Sequence, residues 1–138
     1  MKNTKILGEK TESLVLAGLL QVYPSVLIPF GDNQRYDFVF EDLSGNFKKV
    51  QCKTARYING TISFHLTSSS SPNSTHLSYQ GQIDYFGVNC PDFPEVYLVP
   101  IEETATRECK LRIDPPIIYN SKVRWAKDYL LWSPCSKY

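Results

Sequence analysis

Two runs of strand-forming residues, Tyr36 to Phe40 and Phe47 to Lys53, flank the segment Glu41-Asp42-Leu43-Ser44-Gly45-Asn46. Aromatic and β-branched residues on both sides of an Asp/Ser/Gly/Asn cluster read as a hairpin with a loop of moderate length. A hairpin has one face to bury, so further elements must cover it. Ahead of it, Asn3 or Thr4 can cap a helix whose Leu7, Leu14, Val15, Gly18, Leu19 and Val22 follow a 3.6-residue period, ending at Pro24. Val26-Leu27-Ile28 reads as a short buried strand closed by Pro29, and Gly31-Asp32-Asn33 as a turn. After the hairpin, Thr61 to Leu66, Asp84 to Asn89 and Val96 to Val99 read as strands, and Pro115-Pro116 as an extended turn. Ser121 can cap a final amphipathic helix carrying Val123, Trp125, Ala126, Tyr129 and Leu130. The order helix, strands, helix predicts an α/β fold with one mixed central sheet flanked by helices.

The chain has 138 residues, which suits a single domain. The longest near-continuous apolar run, Leu14 to Leu20, is far short of the roughly 20 residues a spanning helix needs. The N-terminus shows no signal-peptide core, and the expectation is a soluble, intracellular (cytoplasmic) protein with no membrane partner. Cys52, Cys90, Cys109 and Cys135 are scattered, and neither His65 nor His76 lies at finger spacing from any of them. Reduced, mostly buried thiols are expected rather than disulfides or a structural zinc.

Net charge is +1, but it is unevenly placed. Residues 1–60 carry eight basic and six acidic side chains, residues 61–106 none and five, and residues 107–138 seven and three. Whole-chain charge therefore excludes a strongly basic coat, while local clusters can still hold phosphate within a Debye length of about 8 Å.

The chemistry-bearing residues converge on the hairpin. Asp37 lies on its first strand and Gln51-Cys52-Lys53 on its second. Side chains alternate along a strand, so Gln51 and Lys53 share one face while Cys52 points to the other. Glu12 falls about 90° from the centre of the helix's apolar stripe, on its border, whereas Glu9 falls about 150° away and should face solvent. A carboxylate, a carboxamide oxygen, a backbone carbonyl and a lysine suit phosphodiester hydrolysis assisted by Mg²⁺, which prefers hard oxygen ligands. A Gln-x-Lys on a strand is by itself commonplace at an exposed edge.

A helix Glu, then Asp, then Glu/Gln-x-Lys resembles the PD-(D/E)xK nuclease signature. The runs Gly8-Glu9-Lys10-Thr11-Glu12, Pro29 to Asp37 (PFGDNQRYD) and Val50 to Arg56 (VQCKTAR) are similar to those of group I intron homing endonucleases in that superfamily. The similarity continues through Ile83 to Val88 and Val96 to Pro100 to Leu111-Arg112-Ile113. It implies a restriction-endonuclease-like fold, with residues 1–138 as one nuclease domain. It also implies Asp37 as central metal ligand, Gln51 where relatives carry an acid, the Cys52 carbonyl in the inner shell, Glu12 as the helix carboxylate and Lys53 orienting water. Gln51 removes one negative charge, so the site should need millimolar Mg²⁺ or a DNA phosphate to complete it. Tyr36 replaces the proline of the signature.

The implied partner is double-stranded DNA cut at a long site, with Arg35, Lys48, Lys49 and Arg56 as candidate phosphate contacts. The Ser-rich stretch of about residues 67–80 is either a groove-entering segment or a surface loop. In the first reading Ser69, Ser70, Asn73, His76 and Tyr79 bond bases or backbone. His65 and His76 are expected as hydrogen-bonding residues rather than catalysts. One site cuts one strand, so a homo-oligomer is expected, a dimer by symmetry and a tetramer by resemblance. Trp125, Tyr129, Leu131 and Trp132 are the candidate interface, or else simply pack on their own sheet. A Holliday-junction resolvase, a restriction-type nuclease and a catalytically weak DNA- or RNA-binding module remain as alternatives, with a scaffold unrelated to nucleic acid the least favoured.

Overall fold

In the computed structural model, residues 3–68, 77–104, 107–116, 118 and 123–135 are described. The chain opens with helix α1, Thr4–Val22. The Asn3 carboxamide oxygen caps it by accepting from the N–H groups of Lys5 and Ile6 at 3.0 and 3.4 Å. Thr11, Val15, Gly18 and Leu19 are buried, at the spacing that gives a helix one apolar face. The helix stops at Tyr23, whose N–H still reaches the Leu19 carbonyl at 2.8 Å, and Pro24 follows. Among the described residues no helix is long and apolar enough to cross a membrane.

Then come β1 (Ser25–Leu27), β2 (Phe38–Glu41) and β3 (Phe47–Thr54). The expected hairpin is present, with Phe38 opposite Val50 and Glu41 opposite Phe47. After β3 the chain leaves this sheet at Ala55 and makes β4 (Arg56–Ile58) and β5 (Thr61–His65). Gly60, at φ +79°, turns between them, where its left-handed backbone costs glycine little. Two-residue strands β6 (Thr67–Ser68) and β7 (Leu77–Ser78) pair antiparallel. The remaining strands are β8 (Tyr85–Asn89), β9 (Val96–Pro100), β10 (Glu108–Arg112) and β11 (Leu130–Trp132).

The main sheet is mixed, in the order β1-β2-β3-β8-β9-β11. Its β3–β8 pair is parallel and its other pairs are antiparallel. Helix α1 covers one face, packing Val15 and Leu19 on Phe38, Phe40, Val50, Val96 and Leu98. Gly87 permits this close approach, because a Cβ there would sit 2.6 Å from Val15 Cγ1. A second, three-stranded sheet, β10-β5-β4, covers the other face. Its Ile62, Phe64 and Leu111 pack on Phe86, Val88 and Val99.

The expected sheet flanked by helices thus becomes helix, sheet and second sheet. The anticipated C-terminal helix is instead a short 3-10 turn, Ala126–Tyr129, followed by strand β11 on the edge beside β9. Its expected cap, Ser121, lies outside the described residues. Leu131 and Trp132 pack against Gly18 of α1, with Leu131 Cδ2 3.2 Å from where a Gly18 Cβ would lie. The apolar surplus of this segment is therefore spent largely inside the fold.

Candidate active site

The site begins where the β2–β3 ladder ends. Asp37 stands one residue before β2, not within a strand as expected, and its N–H donates to the Val50 carbonyl at 2.8 Å. Continuing the register places Asp37 opposite Gln51 and Tyr36 opposite Cys52. The chain departs there, and the Cys52 N–H donates to Asp37 Oδ2 at 2.8 Å. A side-chain carboxylate thereby takes a bond that a longer strand would have supplied from its backbone.

Gln51 is half-buried beside it. Its carboxamide faces two acceptors, Asp37 Oδ2 and the Arg35 carbonyl, and the orientation that satisfies both brings Nε2 to 3.2 and 2.6 Å of them. In the opposite orientation Oε1 faces the same oxygens, an arrangement that only a cation would favour.

Lys53 points to the same face as Gln51. Its Nζ donates to the Thr67 carbonyl at 3.2 Å and lies 4.8 Å from the centre of the Tyr79 ring. Arg35 Cζ lies 3.9 Å from that ring centre. Tyr79 is 4% exposed and meets Phe86 edge-on at 5.7 Å. Expected to bond DNA, it is instead a buried platform on which two cations rest. Sequence reasoning missed this role because Tyr79 stands in a polar stretch, where an isolated aromatic was the only signal.

Glu12 approaches from α1, across the sheet face that carries Cys52. It is exposed, and partial burial first, then the charges of Asp37 and Glu9, raise its pKa. Burial also raises the Asp37 carboxyl, opposed by the Cys52 hydrogen bonds and by Lys53. Burial pushes the Cys52 thiol well up, with Asp37 and Glu12 adding to it, so this sulfur is no nucleophile. The neighbouring Thr11 and Thr54 join helix to strand through a 2.6 Å hydroxyl–hydroxyl bond, Thr11 being 2% exposed.

A cleft of about 520 Å³ opens over the site, lined by Glu9, Glu12, Asp32, Gln34, Tyr36 and Asp37 among others. Glu9 is exposed to solvent, as expected, and it also lines the rim of this cleft beside Glu12. Ile28, Pro29, Gly31 and Asp32 also line the cleft, which helix arithmetic alone could not reveal.

No group of three His, Cys, Asp or Glu able to hold a metal is found among the described residues. The donors present are two carboxylates, one carboxamide and a backbone carbonyl. All are hard oxygens, a set that fits Mg²⁺ and not zinc. The four cysteines are free, Cys90 and Cys109 buried and Cys135 exposed.

Of the other expected DNA contacts, Lys49 and Arg56 are exposed and Lys48 is half-buried. Lys49 Nζ lies 5.5 Å from the Tyr36 ring centre. Ser69, Ser70, Asn73 and His76 lie outside the described residues, and His65 is exposed.

A family model described as "PD-(D/E)XK endonuclease" matches residues 2–132. Among solved structures, a bacterial homing endonuclease, I-Ssp6803I, is similar in fold, with a TM-score of 0.71 and 23% identity. The likeness covers 94% of this chain and 89% of that one. No curated protein matches significantly.

Proposed function

Because the chain belongs to the PD-(D/E)XK endonuclease family, we propose that it is a site-specific, Mg²⁺-dependent DNA endonuclease making double-strand breaks at a long target, as in intron homing. The observation that carries this reading is the cluster at the ladder's end, where Asp37, Gln51, Cys52 and Lys53 converge under the cleft that also holds Glu12. The name of the similar structure supports the homing role.

Asp37, the Gln51 carboxamide oxygen and the Cys52 carbonyl would hold Mg²⁺, with Glu12 binding it or its waters. When bound, the metal supplies a more acidic water and neutralises charge gathering on the phosphate. The Cys52 N–H keeps the Asp37 carboxylate in place, so that little reorganisation is needed when a cation arrives. Gln51 must turn its oxygen inward, giving up its bonds to Asp37 and the Arg35 carbonyl. Lysine has three ammonium donors. One of Lys53's is held by the Thr67 carbonyl, which leaves two for the attacking water and a phosphate oxygen. The Tyr79 ring fixes the ammonium from below.

Arg35, Lys48, Lys49 and Arg56 are the proposed phosphate contacts, and the Ser-rich stretch of about residues 67–80 the proposed groove segment. A homo-oligomer places a second site on the other strand. The neutral Gln51 favours one competing reading, a binding module with a weak site.

Cleavage of a randomised duplex library, with the cut ends sequenced, tests the proposal. Both strands should be cut at one sequence in Mg²⁺, and EDTA should abolish it. Preference for four-way junctions would indicate a resolvase, and binding without any metal-dependent cleavage would leave the binding module.

A further inference from the structure

The three-stranded sheet buries one face and leaves the other outward. Tyr57, Ile62, Phe64, Cys109 and Leu111 point to the core. Alternation then puts Arg56, Ser63 and Lys110 in one outward cross-strand row and Ile58, Thr61 and Arg112 in the next. Ser63, between two long side chains, is 7% exposed. Along the β10 edge lies a groove of about 400 Å³ lined by Thr61, Glu108, Lys110, Arg112 and Arg124 among others.

The surface is basic. Arg56, Lys110 and Arg112 lie on it with Glu108, which is 3.8 Å from Lys110 Nζ, and Asp114, which accepts from the Tyr57 hydroxyl, while Arg124 lines the groove and bonds the buried Cys109 thiol there. Arg112 has one bond from Nη1 to the Asn59 carbonyl at 3.1 Å, while its buried Nε has no partner among the described residues.

The chain runs on from the end of this sheet to the active site. At the end of β5 the Leu66 N–H donates to the Arg107 carbonyl at 2.8 Å, and the next carbonyl, of Thr67, holds Lys53. The five residues of β5 extend about 17 Å from there, roughly five base pairs at ~3.4 Å each. Two adjacent strands of this face, β5 and β10, spaced ~4.8 Å apart, make a ribbon of the width that a B-form major groove about 12 Å wide admits. The deep, narrow major groove of A-form RNA would not admit it.

We propose that the outward face of β4, β5 and β10, with Lys110, Arg112 and Arg124 beside Arg56, is a second DNA-contacting surface that carries the duplex away from the scissile phosphate. It rests on the reading of the chain as a DNA endonuclease. Thr61 and His65 offer a hydroxyl and an imidazole to base edges, while the cations take the flanking phosphates.

The experiment measures affinity for a long mixed-sequence DNA duplex in EDTA across a salt series. Lys110→Ala/Arg124→Ala should flatten the slope of log K against log salt by about 1.8, and Lys110→Ala alone by about 0.9. Glu108→Gln should tighten binding. Lys5→Ala, on α1, should leave the slope in place, and melting curves confirm that each variant is folded. If the folded Lys110 variants keep the wild-type slope, or lose no more than Lys5→Ala, the proposal is overturned. Equal competition by an A-form RNA duplex would also overturn it. Wild-type protein that cuts DNA while the variants keep their slope sinks this surface alone. Wild-type protein that neither binds nor cuts any duplex sinks the nuclease reading, and this surface with it.

Discussion

The backbone N–H of Cys52 is bound by the carboxylate of Asp37, 2.8 Å away. That bond fixes the carboxylate at the point where two strands part, and it places the Cys52 carbonyl, on the same residue, within the same site. The arrangement holds a partly buried acid in a fixed orientation beside Lys53.

Gln51→Glu should lower the Mg²⁺ concentration for half-maximal cleavage by roughly tenfold, about 1.4 kcal/mol of binding. In EDTA the same variant should melt lower than wild type. It puts a second charge beside Asp37 and loses the donor that serves Asp37 and the Arg35 carbonyl. A Mg²⁺ titration of cleavage and a thermal melt check the two halves, and a raised Mg²⁺ requirement would remove Gln51 from the ligand set.

Lys53→Ala should cut at least about a hundredfold more slowly while still binding duplex. Lys53→Arg should also fail, because the planar guanidinium does not fit a site shaped by the Thr67 carbonyl and the Tyr79 ring. Single-turnover cleavage at saturating protein reads this directly, and a near-normal rate for either variant would remove Lys53 from the chemistry.

The two helix carboxylates should separate in degree. Glu12→Gln should slow cleavage by about tenfold or more, since its carboxyl senses Asp37. Glu9→Gln should cost less, but measurably, because Glu9 lines the same cleft and raises its neighbour. Parallel Mg²⁺ titrations of both variants give the order, and a larger loss at Glu9 would reverse the assignment.

Protonation gives a further check. Asp37 and Glu12 are both harder to ionise in the folded chain than in the unfolded one. Their contribution to the metal-free protein is thus fully present below the ordinary carboxylate range, and it is lost as pH rises through their raised folded values. A divalent cation held as proposed would favour the ionised pair and reverse the penalty. The rise in melting temperature on adding Mg²⁺ should therefore be larger at neutral pH than at mildly acidic pH. Equal shifts at both would place the cation elsewhere.

The sequence disclosed the parts of this molecule whose periodicity is local. Helix α1 was legible from its cap and apolar spacing, and the hairpin from alternation around a turn cluster. With the hairpin came the sharing of one face by Gln51 and Lys53. The C-terminal segment misled because Val123, Trp125, Ala126, Tyr129 and Leu130 also fit a helical period. Pairing with β9 and packing on Gly18 outweighed that preference. Strand β4 was hidden because only Ala55, bonded through its N–H to the Asn89 carbonyl, separates it from β3. Glu9 faces solvent as its angle on the helix indicates, but that angle says nothing of the cleft wall that Ile28, Pro29, Gly31 and Asp32 contribute.

The contact between Thr11 and Thr54 has a consequence of its own. Thr11 precedes Glu12 and Thr54 follows Lys53, so this one contact ties together the two layers that supply the site. The pair acts as an alignment pin: were α1 to creep along the sheet by half a turn, Glu12 would lose its place while most of the core stayed packed. On gradual warming, then, the proposed cleavage should be lost at a lower temperature than the fold.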